Sequence, residues 1–172
     1  MTERRGSRLD SFIRRLEAQQ ACLEMAVGLI ADLPGPVLEF GLGNGRTYDH
    51  LRLMLPGREI FVFERAVAAH PDCTPDAAHL FLGDLRDTLP LALARLGPTA
   101  ALIHIDIGTG DAAVNAAAAT LLAPAVAGLS RPGAVVAADQ RLQAPALVPM
   151  PPPPAVAPNR YFLYRVDPSG PG

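Results

Sequence analysis

Lysine is missing from this chain: all fifteen basic residues are arginine. That excludes imine chemistry on a lysine amine and any phosphate-binding loop that depends on lysine. Cysteine is nearly missing too, since Cys22 and Cys73 stand far apart with no metal-ligand spacing. Neither a disulfide framework nor a zinc site is expected, and both thiols read as buried apolar side chains. No charge of one sign dominates. With a formal net charge of -2 and a pI of about 6.0, the chain has no basic field to draw nucleic acid. The one basic cluster, Arg4, Arg5, Arg8, Arg14 and Arg15, reads as a solvated face. A charged leader followed by a long apolar segment is also lacking, and the longest apolar helix candidate is interrupted by polar residues. No membrane partner is expected, and the expected location is cytoplasmic.

The 172 residues suit one domain, with no room for a separate substrate domain. Residues 8 to 33 carry Leu9, Phe12, Ile13, Leu16, Leu23, Val27 and Ile30 at helical spacing. Ser7 and Asp10 are placed as a capping box, and Pro34-Gly35-Pro36 stops the helix. Short apolar runs then predict strands at Val37 to Phe40, Glu59 to Phe63, His79 to Leu82, Ala100 to Ile105 and Ala134 to Ala138. Helices are predicted at Thr47 to Leu55, Leu89 to Leu96 and Asp111 to Leu129, with a short one in the proline-bearing stretch 66–78. This alternation predicts an α/β fold with a mostly parallel, doubly wound sheet. Prolines make residues 141–158 a stiff loop. Tyr161 to Val166 follows as a final strand, antiparallel beside the fifth. The layout expected is an N-terminal helix (1–36), a core (37–140), the proline-rich loop (141–158) and the terminal strand (159–167).

Glu39-Phe40-Gly41-Leu42-Gly43-Asn44-Gly45 places an acid and then alternating glycines at the end of the first strand. Glycine is needed where the backbone takes positive φ or a ligand must come close, and the helix that follows turns free N–H groups toward that ligand. In open parallel sheets ligands bind beyond the carboxyl ends of the strands. The acids at those ends are Glu39, Glu64, Asp84, Asp106 and Asp139. Glu64 lies 19 residues after Gly45, where a carboxylate accepts from two ribose hydroxyls. Asp84 is placed to accept from an exocyclic amine, with Leu85 as an apolar face for a purine.

The pattern E-x-G-x-G-x-G, the acid ending the second strand and G-D-L after the third resemble motifs of class I S-adenosylmethionine-dependent methyltransferases over about residues 37 to 140. The resemblance implies a Rossmann-like sheet of order 3-2-1-4-5 and S-adenosyl-L-methionine as cofactor. It assigns the amino-acid portion to Glu39, Gly41, Gly43 and Gly45, the ribose to Glu64 beside Arg65, and the adenine to Asp84 and Leu85, with Asp106 also on the cofactor. A nicotinamide dinucleotide domain is the competing reading. It expects G-x-G-x-x-G, whereas the sixth position from Gly41 is Arg46.

A narrower stretch, His104-Ile105-Asp106-Ile107-Gly108 with Ala138-Asp139-Gln140, is similar to the catechol O-methyltransferase type. That likeness implies Mg2+ held by Asp106, Asp139 and Gln140, although Gln140 stands where asparagine is usual. The other reading leaves Asp106 to position cofactor or substrate and Asp139 to end a strand. No general base stands out, and the candidates are Asp106, His104, His50 and Tyr48. His104 shares its side of the strand with Asp106, and His70 and His79 read as structural. The expected activity is methyl transfer to a small-molecule acceptor, first an oxygen. The alternatives are an NAD-binding oxidoreductase-like protein and a non-catalytic S-adenosylmethionine-binding regulator. The acceptor pocket would draw on the N-terminal helix, the proline-rich loop and a neighbouring subunit, so a homo-oligomer is expected.

Overall fold

The structure is a computed structural model and describes residues 7–167. Helix α1 (Arg8–Leu29) starts at the expected capping box: the Ser7 N–H donates to Asp10 Oδ2 at 2.7 Å and the Asp10 N–H to Ser7 Oγ at 3.0 Å. It stops four residues short of the expected end, with the Ile30 N–H closing onto Ala26. Only its second half is core. Cys22, Leu23 and Ala26 are buried there, whereas Leu9, Phe12 and Ile13 are exposed. Fully burying a side chain such as Leu23 stabilises by about 1.5–3 kcal/mol, so the C-terminal half anchors the helix and the N-terminal half extends past the sheet.

The remaining elements are β1 (Val37–Phe40), α2 (Arg46–Met54), β2 (Ile60–Glu64), β3 (Leu80–Leu82), α3 (Leu85–Leu96), β4 (Ala100–Ile105), α4 (Ala112–Leu129), β5 (Ser130–Ala138), β6 (Leu147–Met150) and β7 (Phe162–Val166). They build one seven-stranded sheet in the order β3-β2-β1-β4-β5-β7-β6. The first five strands run parallel and β7 lies antiparallel to β5, as expected.

The short helix expected in the stretch 66–78 takes the form of a 3-10 turn at Pro71–Cys73, followed by another at Ala77–His79, since the prolines deny the hydrogen bonds a longer helix needs. Two expectations are corrected. Helix α3 begins at Leu85, not Leu89. Asp84 caps it by accepting the Arg86 N–H at 2.9 Å, and Pro90 sits inside the helix, where the carbonyl it frees belongs to exposed Arg86. The proline-rich loop contains a seventh strand, β6, paired antiparallel with β7 at the sheet edge. Pro149 is tolerated there because an edge strand has one unpaired side.

The period-two alternation of the strands divides the core. One face carries Leu38, Phe40, Phe61, Phe63, Phe81 and Ile103 under α3 and α4. Phe63 stacks on Phe40 at 4.2 Å and on Phe81 at 4.7 Å between ring centroids. The other face carries Val37, Val62, Leu102 and Val135 under α1 and α2. Among the described residues α4 is the helix long and apolar enough to cross a membrane by length and composition. It carries no charged residue, so the expected polar interruption amounts to Asn115 and Thr120 alone. Its C-terminal half, with Leu122, Val126 and Leu129 fully buried, packs on the sheet.

Candidate functional site

Between β1 and α2 the chain turns through Gly41 (φ 92°), Gly43 (φ 51°) and Gly45 (φ 77°). Gly41 is required for space as well as conformation, because a Cβ there would strike the Asp106 carbonyl and the Ile107 side chain where β1 and β4 end side by side. A Cβ on Gly45 would strike Cys73 and Ala69. Glu64 lies against this loop. Its Oε2 accepts the N–H groups of Leu42 (2.8 Å) and Gly43 (3.1 Å), and its Oε1 those of Arg65 (2.7 Å) and Ala66 (3.2 Å). Burial alone would raise its pKa, but the donors from Gly43, Ala66, Leu42 and Arg65 outweigh it and hold the carboxyl below its usual value.

An open cleft of about 650 Å³ runs from the glycine loop past β2 and β3 to α4, within the range of about 300–1,000 Å³ common for small-molecule sites. Of the expected site residues, Gly41, Gly43, Glu64, Arg65, Asp84, Leu85 and Asp106 line it. Asp84 is doubly engaged, as the α3 cap and as partner of the Arg65 guanidinium at 3.3 Å. The Arg86 N–H chiefly lowers its pKa. The far wall consists of Val114, Ala117 and Leu121 of α4, with Ile107 to Thr109 below. The α4 residues are not marked in the sequence, since nothing in an alanine-rich helix shows which side faces a ligand.

The remaining expected residues lie elsewhere. Glu39 and His104 are register partners on β1 and β4, fully buried under α1. Glu39 accepts from the Thr47 hydroxyl, and its Oε1 is 3.6 Å from His104 Nδ1. His104 Nε2 is 2.6 Å from the hydroxyl of buried Tyr161. Burial above all, with Asp106 adding to it, raises the Tyr161 pKa far enough to keep the hydroxyl protonated. A protonated hydroxyl both donates and accepts, and it also lies 3.5 Å from the Ile105 carbonyl, so either ring tautomer keeps the contact with Nε2. This occupation removes His104 as a general base for a ligand in the cleft. Tyr48 is buried under Arg52, whose guanidinium lies 4.9 Å from its ring centroid, and His50 is half-buried on α2; neither lines the cleft. His79 bridges Asp76 and Glu59, and His70 caps a 3-10 turn, both structural as expected. Cys22 is buried and its thiol is pushed up to about 11, while Cys73 is half-buried.

Asp106 follows β4 at the cleft. Its Oδ1 accepts from the Arg15 guanidinium at 3.1 Å and its Oδ2 from the Gln19 amide at 2.8 Å. Arg15 thus departs from the expected solvated face; Arg4 and Arg5 lie outside the described residues. Arg15 and Gln19 stand one helical turn apart, a spacing legible in the sequence, although its target was not. Asp139 accepts the Gly108 N–H at 2.7 Å through Oδ2, and its buried Oδ1 has no hydrogen-bond partner among the described residues. Burial pushes its pKa up to about 6, and nearby Asp106 adds to the rise.

These donors do not fit the expected metal. Both Asp106 oxygens are committed to α1, one of them to a cation. Among the described residues no group of three or more His, Cys, Asp or Glu side chains is placed to hold an ion.

A family model described as S-adenosyl-L-methionine methyltransferase matches residues 6–166. Among solved structures, an S-adenosyl-L-methionine methyl transferase from Silicibacter pomeroyi DSS-3 is 48% identical, with a TM-score of 0.89 over 94% of this chain and 99% of that one. Two variants of a 16S rRNA (adenine(1408)-N(1))-methyltransferase from Catenulisporales acidiphilia are more distant. One is 14% identical, with a TM-score of 0.42 over 80% of this chain and 61% of that one. The other, determined with its cosubstrate SAM, is 12% identical, with a TM-score of 0.49 over 92% of each chain. No curated protein matches. The family model and the Silicibacter structure favour the methyl-donor reading over the dinucleotide one, and they do not show the catechol-type kinship.

Proposed function

The chain belongs to the S-adenosyl-L-methionine methyltransferase family, and on that footing we propose that it methylates an oxygen of a small-molecule acceptor at the cleft beside the glycine loop. The observation that carries the site is Glu64, an ionised carboxylate held by four backbone N–H groups at the edge of that cleft. The four N–H groups fill its acceptor sites, so the ribose hydroxyls would take the places of the two longer contacts, from Gly43 (3.1 Å) and Ala66 (3.2 Å). Leu85 offers an apolar face to the purine and Asp84 its carboxylate to the exocyclic amine. Asp106 holds the α-ammonium of the donor's amino-acid portion. Glu39 acts from behind, fixing the turn through Thr47.

Bound there, S-adenosyl-L-methionine supplies a sulfonium methyl carbon open to in-line displacement. The protein's part is to align the acceptor and accept its proton. Asp139 stands behind the cleft wall, its Oδ2 holding the N–H of Gly108, which lines the cleft. Burial pushes its pKa up to about 6, which suits a proton acceptor, and with Oδ1 itself buried the acceptor's proton would pass to it by a relay. A hydroxyl nucleophile needs such a base, whereas a neutral amine attacks without one, which favours oxygen. The wall of Val114, Ala117 and Leu121 suits an apolar acceptor body.

Incubation with labelled methyl donor against panels of phenols, carboxylates, amines and sugars tests the proposal. Label transferred to an oxygen is expected, and where that oxygen is a hydroxyl the transfer should be lost in Asp139→Asn. Transfer only to nitrogen, or only to RNA, would overturn the acceptor assignment.

A further inference from the structure

Asp106 meets two α1 donors of different kinds. The Arg15 guanidinium is 41% exposed on the side-chain scale and has Phe12 as an apolar neighbour, 5.7 Å from the ring centroid. Gln19 is 5% exposed, and its amide nitrogen lies 2.8 Å from Asp106 Oδ2, 3.4 Å from His104 Nε2 and 3.5 Å from the Tyr161 hydroxyl. One contact is a half-exposed ion pair of small net value. The other comes from a buried amide that also touches buried His104 and Tyr161, so it cannot be moved without leaving partners unsatisfied.

We infer that Gln19 is a positioning residue that aims Asp106, and that Arg15 is an exchangeable counter-ion standing where the donor's α-ammonium goes. The inference rests on the assignment of Asp106 to that ammonium. Oδ2 keeps the Gln19 amide throughout and so fixes the rotation of the carboxylate. Oδ1 trades one cation for another, the guanidinium withdrawing along α1, whose first two turns carry exposed residues only. The N-terminal helix therefore contributes to the cofactor site in two opposed ways, Gln19 raising affinity for the amino-acid end and Arg15 lowering it.

The test compares two probes by calorimetry on the full chain. S-adenosylhomocysteine carries the amino-acid portion, whereas 5′-methylthioadenosine shares the adenosine and the thioether but lacks that portion. Arg15→Ala should bind S-adenosylhomocysteine two- to fivefold more tightly, as expected when an exposed ion pair no longer competes. Gln19→Leu should bind it about tenfold more weakly, with Gln19→Asn in between. 5′-Methylthioadenosine should bind all three variants within twofold of the unaltered chain, and melting curves identify any variant that fails to fold. Arg15→Ala binding S-adenosylhomocysteine equally or more weakly would overturn the counter-ion role. A loss in Gln19→Leu or Gln19→Asn shared by both probes would overturn the positioning role. If the unaltered chain binds neither probe, the donor-site assignment itself falls; if it binds both and no variant changes their ratio, only this inference falls.

Discussion

Glu39 and His104 face each other across β1 and β4 with no exposed surface, Glu39 Oε1 lying 3.6 Å from His104 Nδ1. Such a buried pair is costly to leave without partners, and among the described residues Glu39 Oε2 has none. Thr47 serves Glu39, and Tyr161 serves His104. The terminal segment thereby supports the strand ends where the ligand is proposed to bind. Tyr161→Phe removes the hydroxyl alone and leaves Nε2 of the ring with only the long Gln19 contact. Urea unfolding should show a loss of about 1–3 kcal/mol. A loss below 0.5 kcal/mol, roughly the scatter of neutral surface changes, would mean that the Tyr161–His104 contact contributes little.

Asp139 should make stability fall as pH rises. In the folded chain its carboxyl holds a proton to about pH 6, against the usual 3.8. Between those values the folded state binds the more protons, so the stabilisation is complete below 3.8 and lost as pH passes through 6. Asp139→Asn keeps an acceptor for Gly108 and never ionises. It should be the more stable protein at pH 8, by at most about 3 kcal/mol at 1.36 kcal/mol per pH unit, and equal to the unaltered chain near pH 4. Melting curves at the two pH values check this; a variant less stable at pH 8 would contradict it.

Gly41 and Gly43 should respond differently to alanine. Both have positive φ, but a Cβ at Gly43 meets nothing within 4 Å, whereas at Gly41 it meets Asp106 and Ile107. Gly43→Ala should cost about 1–2 kcal/mol, the left-handed penalty alone. Gly41→Ala should cost clearly more, because two strand ends must part. Equal losses in denaturant titration would show that the close approach of β1 and β4 is not needed.

The fold was legible where local pattern and tertiary demand agreed. The run Ala100 to Ile105, apolar but for His104, is β4 to the residue, and the Ser7–Asp10 box starts α1. It was illegible where they competed. Asp84 looked like a ligand residue and is also a helix cap, which moved the start of α3 past a proline; β6 lay hidden in a proline-rich stretch because edge strands tolerate what inner strands do not. The site divides in the same way. Glu64 and the glycines are local in sequence and were found, whereas Arg15, Gln19 and Tyr161 reach Asp106 and His104 from the two ends of the chain. The acids at the strand ends looked equivalent, yet the strand alternation turns Glu39 into the α1 face beneath the cleft.

Calorimetric titration with S-adenosyl-L-methionine, S-adenosylhomocysteine and NAD tests the central claim most directly, with Glu64→Ala as control. The two sulfur compounds should bind one to one and NAD should not. Glu64→Ala should weaken binding more than tenfold, since each charge-assisted hydrogen bond to ribose contributes about 1.5–3 kcal/mol. Tight NAD binding without response to either sulfur compound, or an affinity unchanged in Glu64→Ala, would contradict the account.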